Sequence, residues 1–438
     1  MLNSLVVRWG LAAVVAGAAL PLTVRAQTAP PVVTTPASPE APATSVTEPP
    51  AAAAPVAEPA PAATAPAYVA EPAPVAAPAE VAPPPAEPVA PVADEEPGLA
   101  PPVINGYVEA SYHINLSNSK VSEPIALRIY DPAGNAFTLH AAHLALTQKF
   151  TDSISATVEF DMGRDALANG GFVAYPWSNT KQFENQFGFD VQEAYANWSS
   201  GGFTLTAGKF VTYQGIEVIE GPLNPTISRG FLFGWAEAFT HTGIKLHYQA
   251  GDSFNIGVGV VNGWDLIADT NQGKTIIARA ALFAPTDVFF AALSGSVGPE
   301  QAGNSKNQRI SIDLTGAITP SGAFQLWYQA NFGTEEGLLE DSSKNASWYG
   351  FGLQPVITAG DFTLGGRLEY FADPDGVRTT FAKGKFFNFT ITPGYKLASV
   401  FKVRAEFRAD VASDKIFGKS SDPKKVGLTA VASAEYTF

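Results

Sequence analysis

From Val103 to the C-terminus, apolar and polar residues alternate with a period of two in one segment after another. The clearest segment is residues 401–410, FKVRAEFRAD, in which apolar residues take one set of alternate positions and charged residues take the other. This period places each type of residue on its own face of a β-strand. The chain is therefore predicted to be all-β, with strands that carry one apolar and one charged face.

The number of these segments and the lengths of their connections predict the topology. We predict about 16 strands, because the alternation is broken by turn residues between segments. Their approximate spans are 103–115, 137–150, 153–163, 189–199, 202–212, 240–249, 252–263, 274–284, 286–298, 307–318, 322–333, 346–358, 361–372, 386–397, 400–411 and 425–438. Short turns alternate with long connections over residues 116–136, 164–188, 213–239, 264–273, 299–306, 334–345, 373–385 and 412–424. An even strand number with alternating short and long connections is typical of a transmembrane, antiparallel, up-and-down β-barrel.

The width of such a barrel decides which strand face meets water. A barrel with this many strands encloses a lumen too wide for side chains to fill. The apolar face is therefore expected to contact lipid, and the charged face to line water. Tyr and Trp near the strand ends suit the aromatic girdles of a membrane interface; they are Tyr112, Trp198, Tyr248, Tyr395 and Tyr436.

The last predicted strand, 425–438, runs to the final residue, Phe438. Chain ends of soluble domains are usually frayed and polar. This ending resembles the C-terminal aromatic signal read by the barrel assembly machinery of outer membranes, which would make that machinery a partner through Phe438. An ordinary edge strand is the alternative.

The residues before the barrel fall into two parts. Residues 1–26 are predicted to be a secretory signal peptide, because Arg8 precedes an apolar core and small residues follow it; a membrane anchor is the alternative. Residues 27–102 consist almost wholly of Ala, Pro, Val, Thr and Glu, a composition that cannot bury a core. We predict a disordered Pro/Ala-rich periplasmic linker, which is either a tether near peptidoglycan or a passive spacer, followed by an outer-membrane barrel over 103–438.

The overall composition narrows the class further. The chain has 438 residues, no Cys and a formal net charge of −14. Absence of Cys fits a protein that crosses an oxidising periplasm, and the acidic balance argues against a nucleic-acid partner. We expect the outer membrane of a Gram-negative bacterium, with its lipids and lipopolysaccharide as surroundings.

Short motifs in the first half of the predicted barrel carry a family resemblance. They are QEAY at 192–195, AGKFVT at 207–212, EVIE at 217–220, SR at 228–229, FTHTG at 239–243 and VVNGWD at 260–265. On these motifs the chain resembles the putative β-barrel porin-2 family of proteobacterial outer-membrane proteins, whereas the second half matches only in its alternation. The resemblance implies a porin architecture more than a particular solute.

The third long connection, 213–239, lies within this motif region and is the candidate site. By analogy with general porins, whose third outer loop narrows the lumen, we predict a pore constriction loop that carries Glu217, Glu220, Arg229 and Glu237. The bases predicted to line the facing wall are Arg279, Arg309, Arg367, Lys402, Arg404 and Arg408. Acids on the loop opposite bases on the wall would create a transverse field that sorts ions.

A plain alternative accounts for the same charges. The connection would then be a surface loop, and the wall charges would pair within the sheet. Arg404 with Glu406, and Arg367 with Glu369, are the pairs expected in that case.

Nothing in the sequence predicts catalysis, so we expect no enzyme, no metal and no cofactor. None of the five His residues has a catalytic spacing. His140 and His143 are predicted to lie on opposite faces of one strand, where they could not share a metal easily. His241, near a strand start, is expected to make a hydrogen bond at the barrel rim.

The predicted function is that of a porin: a water-filled channel for passive diffusion of small hydrophilic solutes or ions, assembled as a homotrimer by analogy. The alternative is a tethered outer-membrane barrel with a structural, envelope-anchoring or adhesive role.

Overall fold

The structure is a computed structural model that describes residues 99–118, 124–170, 172–176, 186–284, 288–341, 344–379 and 383–438. The predicted signal peptide, most of the predicted linker and the short turn between the predicted strands 274–284 and 286–298 lie outside the described residues. In the described ranges, no helix is long and apolar enough to cross a membrane.

Among the described residues, sixteen antiparallel strands form one closed barrel, in which each strand pairs with the next barrel strand and the last pairs with the first. The barrel strands are β1 (Val103–Asn115), β2 (Ala136–Lys149), β3 (Ile154–Gly163), β5 (Gln186–Ser200), β6 (Phe203–Val211), β7 (Thr240–Ala250), β8 (Phe254–Val261), β9 (Thr275–Phe283), β10 (Phe289–Gln301), β11 (Asn304–Ser321), β12 (Phe324–Glu335), β13 (Ala346–Ala359), β14 (Phe362–Asp373), β15 (Gly384–Ala398), β16 (Phe401–Ala412) and β19 (Val426–Thr437). The predicted barrel of about 16 strands is confirmed.

Short elements that the alternation did not predict lie in the long connections. The strand β4 (Phe172–Pro176) extends the edge of β5, and β17 (Phe417–Lys419) pairs with β18 (Asp422–Lys424). The helix α1 (Arg164–Ala168) follows β3 directly.

The barrel closes between β1 and β19, where Tyr107 lies opposite Thr437. The amide of Phe438 donates to the carbonyl of Gly106 at 3.0 Å, and the amide of Gly106 donates back at 3.0 Å. The Phe438 ring stacks on Tyr436 with centroids 5.9 Å apart. The final residue thus completes the seam, and its recognition by an assembly machinery stays a prediction.

The two faces of the wall have opposite polarity. On β16, Glu406 and Arg408 are buried inside the barrel, while Phe407 between them is 40% exposed on the outer surface. On β11, Ile312 is likewise 48% exposed on the outer surface. Apolar side chains in contact with water would be costly, so this outer band is a surface for lipid.

One predicted long connection is wrong. Residues 299–306 do not form a loop, because β10 and β11 continue to Gln301 and Asn304 and leave only Ala302 and Gly303 between them. Gly303 has φ of 71°, a conformation that glycine adopts without steric cost in a tight turn. Continued ladder pairing outweighs the polar composition of this stretch.

Three connections fold into the barrel near the rim that carries the long loops. They are residues 124–135, α1 and residues 212–239, which we call the inner segment. Together with inward side chains of the wall and with Trp264 and Phe417 of two other connections they form an apolar group, the interior cluster: Leu127, Ile129, Tyr130, Ala168, Val218, Ile219, Phe231, Leu232, Phe233, Ala236, Ala238, Phe239, Trp264, Trp348, Phe371, Phe386, Ala412 and Phe417. The interior cluster fills part of the lumen and gives the inner segment a packed base.

Candidate functional site: the inner segment and the facing wall

The inner segment leaves β6 and crosses the lumen to the opposite wall. The Gly215 amide donates to Asp313 on β11 at 3.1 Å, and the Ser228 amide donates to Glu406 on β16 at 3.2 Å. Phe231, whose amide donates to Glu369 on β14, is fully buried. The candidate loop therefore lies inside the barrel and packs against β11 to β16.

Arg367 on β14 makes the most extensive side-chain contact with the inner segment. One guanidinium nitrogen donates to Glu217 at 2.7 Å, to Thr226 at 2.8 Å and to the Ser228 carbonyl at 2.6 Å. Its Nε donates to Asn388 at 2.9 Å. Glu217 also accepts from the Gly230 amide at 2.6 Å. The ion pair between Arg367 and Glu217 therefore links the part of the inner segment at Glu217 to the part at Gly230.

The two wall carboxylates beside Arg367 and Arg404 bind loop amides instead of their strand neighbours. Glu369 accepts from the Phe231 amide at 2.6 Å and from the Leu232 amide at 2.7 Å. Glu406 accepts from the Ile227 amide at 2.6 Å. Among the described residues, Arg367 does not pair with Glu369 nor Arg404 with Glu406, so these two predicted pairs are wrong, whereas the predicted cross-strand pairing is found for Arg309 with Glu335 and for Lys402 with Glu435. The loop backbone supplies the donors that satisfy the buried Glu369 and Glu406.

Three further predicted wall bases touch the inner segment through its carbonyl groups. Arg408 donates to the Arg229 carbonyl at 2.6 Å, Arg404 to the Asn224 carbonyl at 3.0 Å, and Lys402 to the Pro222 carbonyl at 3.4 Å. Each base also pairs with an acid of the wall. These acids are Asp410 for Arg408, Glu109 and Glu435 for Arg404, and Glu435 for Lys402.

The basic residue of the loop itself acts within the loop. The guanidinium of Arg229 donates to the carbonyls of Val218 and Ile227, both at 2.9 Å, and to that of Ile219. It also lies 5.2 Å from the centroid of the Tyr130 ring. Arg229 therefore stabilises the fold of the inner segment and is enclosed by it.

Residues 124–135 form a second inward segment that the sequence analysis treated as an ordinary loop. Arg128 pairs with Asp131 and with Asp410, the latter at 3.3 Å, and it donates to Thr429 at 2.7 Å. Burial alone would raise the pKa of Asp131, but Arg128 and His113 lower it to about 2. The apolar residues of this stretch, Ile125 to Tyr130, were the available signal for an inward path.

The other two loop acids meet neutral partners. Glu220 accepts from the Gln192 amide at 2.7 Å, and Glu237 accepts from the Gln329 amide at 2.5 Å. The same Gln329 amide donates to Asp313 at 2.8 Å. Burial, together with the neighbouring Asp313 carboxylate, raises the pKa of Glu237 well above its usual range.

Replacing Glu237 with Gln is expected to flatten the pH dependence of stability. The native chain keeps a proton on Glu237 at pH values where the unfolded chain has lost it. The free energy of unfolding should therefore fall as pH rises from the ordinary value of 4.5 towards the raised pKa, by up to about 1.4 kcal/mol per pH unit. Urea titrations of the refolded barrel at a series of pH values measure this slope. Glu340→Gln, at an exposed loop carboxylate, is the control and should keep the wild-type slope; an unchanged slope in Glu237→Gln would contradict the assignment.

Among the described residues, two predicted wall bases make no hydrogen bond or ion pair with the inner segment. Arg309 on β11 pairs with Glu335 at 2.6 Å and lies 4.9 Å from the Trp264 ring centroid. Arg279 on β9 lies 5.7 Å from the Phe290 ring centroid and is partly exposed in the lumen. The predicted bases thus divide into a group that is hydrogen-bonded to the inner segment and two that are not.

The prediction that His140 and His143 lie on opposite faces is wrong. The register between β1 and β2 shifts between Glu109 and Ala110, and His140 is the extra residue of the resulting bulge. A bulge interrupts the alternation of faces, so both imidazoles point inward and are buried.

The bulge gathers three imidazoles inside the barrel. Nε2 of His113 lies 3.3 Å from Nε2 of His140. His140 contacts Asp165 at 2.9 Å, and His143 contacts Asp161 at 2.8 Å. In the part of the chain that the structure describes, no group of three or more His, Asp or Glu side chains could hold a metal ion. His241 contacts the Gly263 carbonyl at 2.9 Å and Thr212 at 3.1 Å at the start of β7, as predicted.

A closed barrel of sixteen described strands, an apolar outer band, a polar inner wall and a connection folded into the lumen define an outer-membrane porin. The family model described as putative beta-barrel porin-2, OmpL-like, matches residues 103–438, and the chain belongs to this family. The predicted family and the Gram-negative outer membrane are thereby confirmed. No curated protein matches the sequence.

Solved structures share this fold at low sequence identity. The anion-selective porin from Comamonas acidovorans is 11% identical with a TM-score of 0.53, over 77% of this chain and 99% of that chain. The trimer form of in-vitro-folded OmpT, an outer membrane protein of Vibrio cholerae, is 12% identical with a TM-score of 0.50, over 77% and 99%. The outer membrane channel DcaP of Acinetobacter baumannii is 11% identical with a TM-score of 0.50, over 77% and 97%. At these identities the similarity concerns the fold alone.

Proposed function

We propose that the chain is a water-filled channel through which small hydrophilic solutes cross the outer membrane by passive diffusion, without catalysing a reaction. The observation that carries this proposal is the polarity of the wall, apolar towards lipid and polar towards the lumen. A barrel that needed only to be anchored would gain nothing from inward charges, because buried ions are costly unless they are paired.

We assign the constriction to the inner segment. It is bound to β11 to β16, so the open passage would run along the other side of the lumen. Support comes from inward side chains there that are partly exposed, among them Asn197, Lys245 and Arg279. The side chains between the inner segment and its wall are, by contrast, almost completely buried.

Single-channel recording tests the proposal. The full chain, refolded and inserted into a planar bilayer, should produce discrete current steps in KCl. A folded barrel, identified by its heat-dependent mobility in SDS gels, that never conducts would contradict the channel.

A closed barrel with an envelope-anchoring role is the second candidate function. The interior cluster favours it, because packed apolar side chains obstruct part of the lumen near the long-loop rim. Absence of current from a folded barrel would support this candidate.

The proposal includes the surroundings of the barrel. We assign a signal peptide to residues 1–26, a periplasmic linker near peptidoglycan to residues 27–102, and recognition by the barrel assembly machinery to Phe438. Contacts with lipids and lipopolysaccharide would cover the outer band. The trimer form of the Vibrio cholerae neighbour supports a homotrimer, which cross-linking of the purified protein would test.

A further inference from the structure

Three hydrogen-bond donors, Lys245, Arg279 and the Tyr213 hydroxyl, lie with the imidazole of His247 at the wall that most of the inner segment leaves open. Lys245 and His247 are inward residues of β7, and Arg279 is an inward residue of β9. Gly257 on β8 lies between His247 and Arg279 in register. A Cβ on Gly257 would collide with the hydroxyl of Tyr213. Because glycine has no side chain, this hydroxyl can lie against β8 between His247 and Arg279.

Among the described residues, none of these side chains makes a hydrogen bond or ion pair with a carboxylate, although Glu193 interacts electrostatically with Lys245. In the described residues Arg279 makes no hydrogen bond or ion pair, and Lys245 makes only a 3.4 Å contact with the Val211 carbonyl besides its aromatic contacts. The Lys245 ammonium lies 4.3 Å from the Phe210 ring centroid and 5.1 Å from that of Tyr213. The Tyr213 hydroxyl has no hydrogen-bond partner, nor does Nε2 of His247, whose side chain is buried.

The other predicted wall bases behave differently. Arg309, Arg367, Lys402, Arg404 and Arg408 each pair with a carboxylate within the described residues. Among the acids near the open wall, Glu193 is completely buried and accepts from the Val211 amide at 2.8 Å. The partly exposed charges on β7 and β9 are therefore Lys245 and Arg279, which are both positive.

We propose that Lys245, Arg279, Tyr213 and His247 form a binding site for small organic carboxylates and make the channel prefer anions. This inference rests on the proposed function. A carboxylate only accepts hydrogen bonds, which matches a site made of donors, and its bonds to guanidinium and ammonium groups are charge-assisted. The Phe210 and Phe290 rings beside the cations suit the apolar part of an organic anion.

Calorimetric titration of sodium succinate into the detergent-refolded full chain tests the site directly. Wild type should bind saturably, and Lys245→Gln/Arg279→Gln should bind about tenfold more weakly or worse, since it loses two charge-assisted hydrogen bonds. The matched control is Lys149→Gln/Lys344→Gln, which removes two exposed lysines that pair with Asp152 and Asp341 outside the lumen. It should bind as wild type does. Tyr213→Phe, which removes one hydroxyl, and the single variants should each weaken binding, which keeps the test decisive if the double variant does not fold.

Reversal potentials in asymmetric KCl provide the second measurement. Wild type should favour chloride, and the double variant should lose about threefold or more of that preference, because fixed charges in a narrow channel set its ion selectivity. A conducting barrel that does not bind succinate, or whose binding is unchanged in the double variant, overturns the inference and leaves the channel intact. If a folded barrel carries no current but binds succinate in a way that depends on both Lys245 and Arg279, the result supports the site and contradicts the channel. Preference for inorganic phosphate over succinate overturns the carboxylate assignment.

Discussion

Replacing Arg367 with Met is expected to release the inner segment from the wall and to raise the single-channel conductance, with frequent switching between levels. The guanidinium donates six hydrogen bonds, four of them to the inner segment. Its loss leaves Glu217 buried beside an apolar side chain. Removing one partner of a buried ion pair destabilises the structure by about 3–5 kcal/mol. A single contact elsewhere in the loop would not compensate for this loss.

Planar-bilayer recordings of the Arg367→Met variant measure this effect, and Arg309→Met is the matched control. Arg309 is also a wall base paired with a carboxylate, Glu335, but it does not touch the inner segment. The control should keep the wild-type conductance. If both variants conduct as wild type does, the position of the inner segment does not depend on Arg367 and its assignment as the constriction loses its main support.

Replacing Ile312 with Arg is expected to destabilise the folded barrel by about 2–4 kcal/mol, the usual cost of a charge on the lipid face near the bilayer midplane. Ile312 lies near the middle of β11 and is 48% exposed on the outer surface. In lipid the guanidinium has neither water nor an acid to stabilise it. Urea unfolding of the variant in lipid vesicles measures the loss.

Ile318→Arg is the control for depth. Ile318 is on the same strand and the same face, 41% exposed, but close to the turn that joins β11 and β12. Near the membrane interface the cost falls to about 0–1 kcal/mol. Equal destabilisation by both substitutions would mean that the cost of a charge on the outer surface of β11 does not depend on its depth in a bilayer.

The positions of the barrel strands could be predicted from the sequence because alternation is a local property. The first strand, 103–115, has the predicted bounds, and β16 presents its charged residues inward as its pattern indicates. Local pattern could not reveal the bulge at His140, because the extra residue exists only relative to the partner strand β1. For the same reason the pattern ended β10 too early and began β11 too late.

The candidate site was predictable in location but not in its contacts. The glycines, prolines and charges of the inner segment indicated a special connection, and the structure places it in the lumen. Its partners are distant in sequence: Glu217 meets Arg367, and Ser228 meets Glu406. No local signal distinguishes Lys245, which the sequence analysis missed, from the bases that bind the inner segment.

By itself the sequence determined the class of this protein: a membrane-spanning antiparallel barrel of about 16 strands in the porin family, with a polar lumen. The alternation that defines the two faces of a strand is contained in about ten consecutive residues, so it can be recognised in the sequence alone. The tertiary structure alone decided which wall the inner segment covers and which charges stay accessible. That choice depends on contacts between residues more than a hundred positions apart, such as Glu217 and Arg367, and on burial that forces each enclosed charge to find a partner.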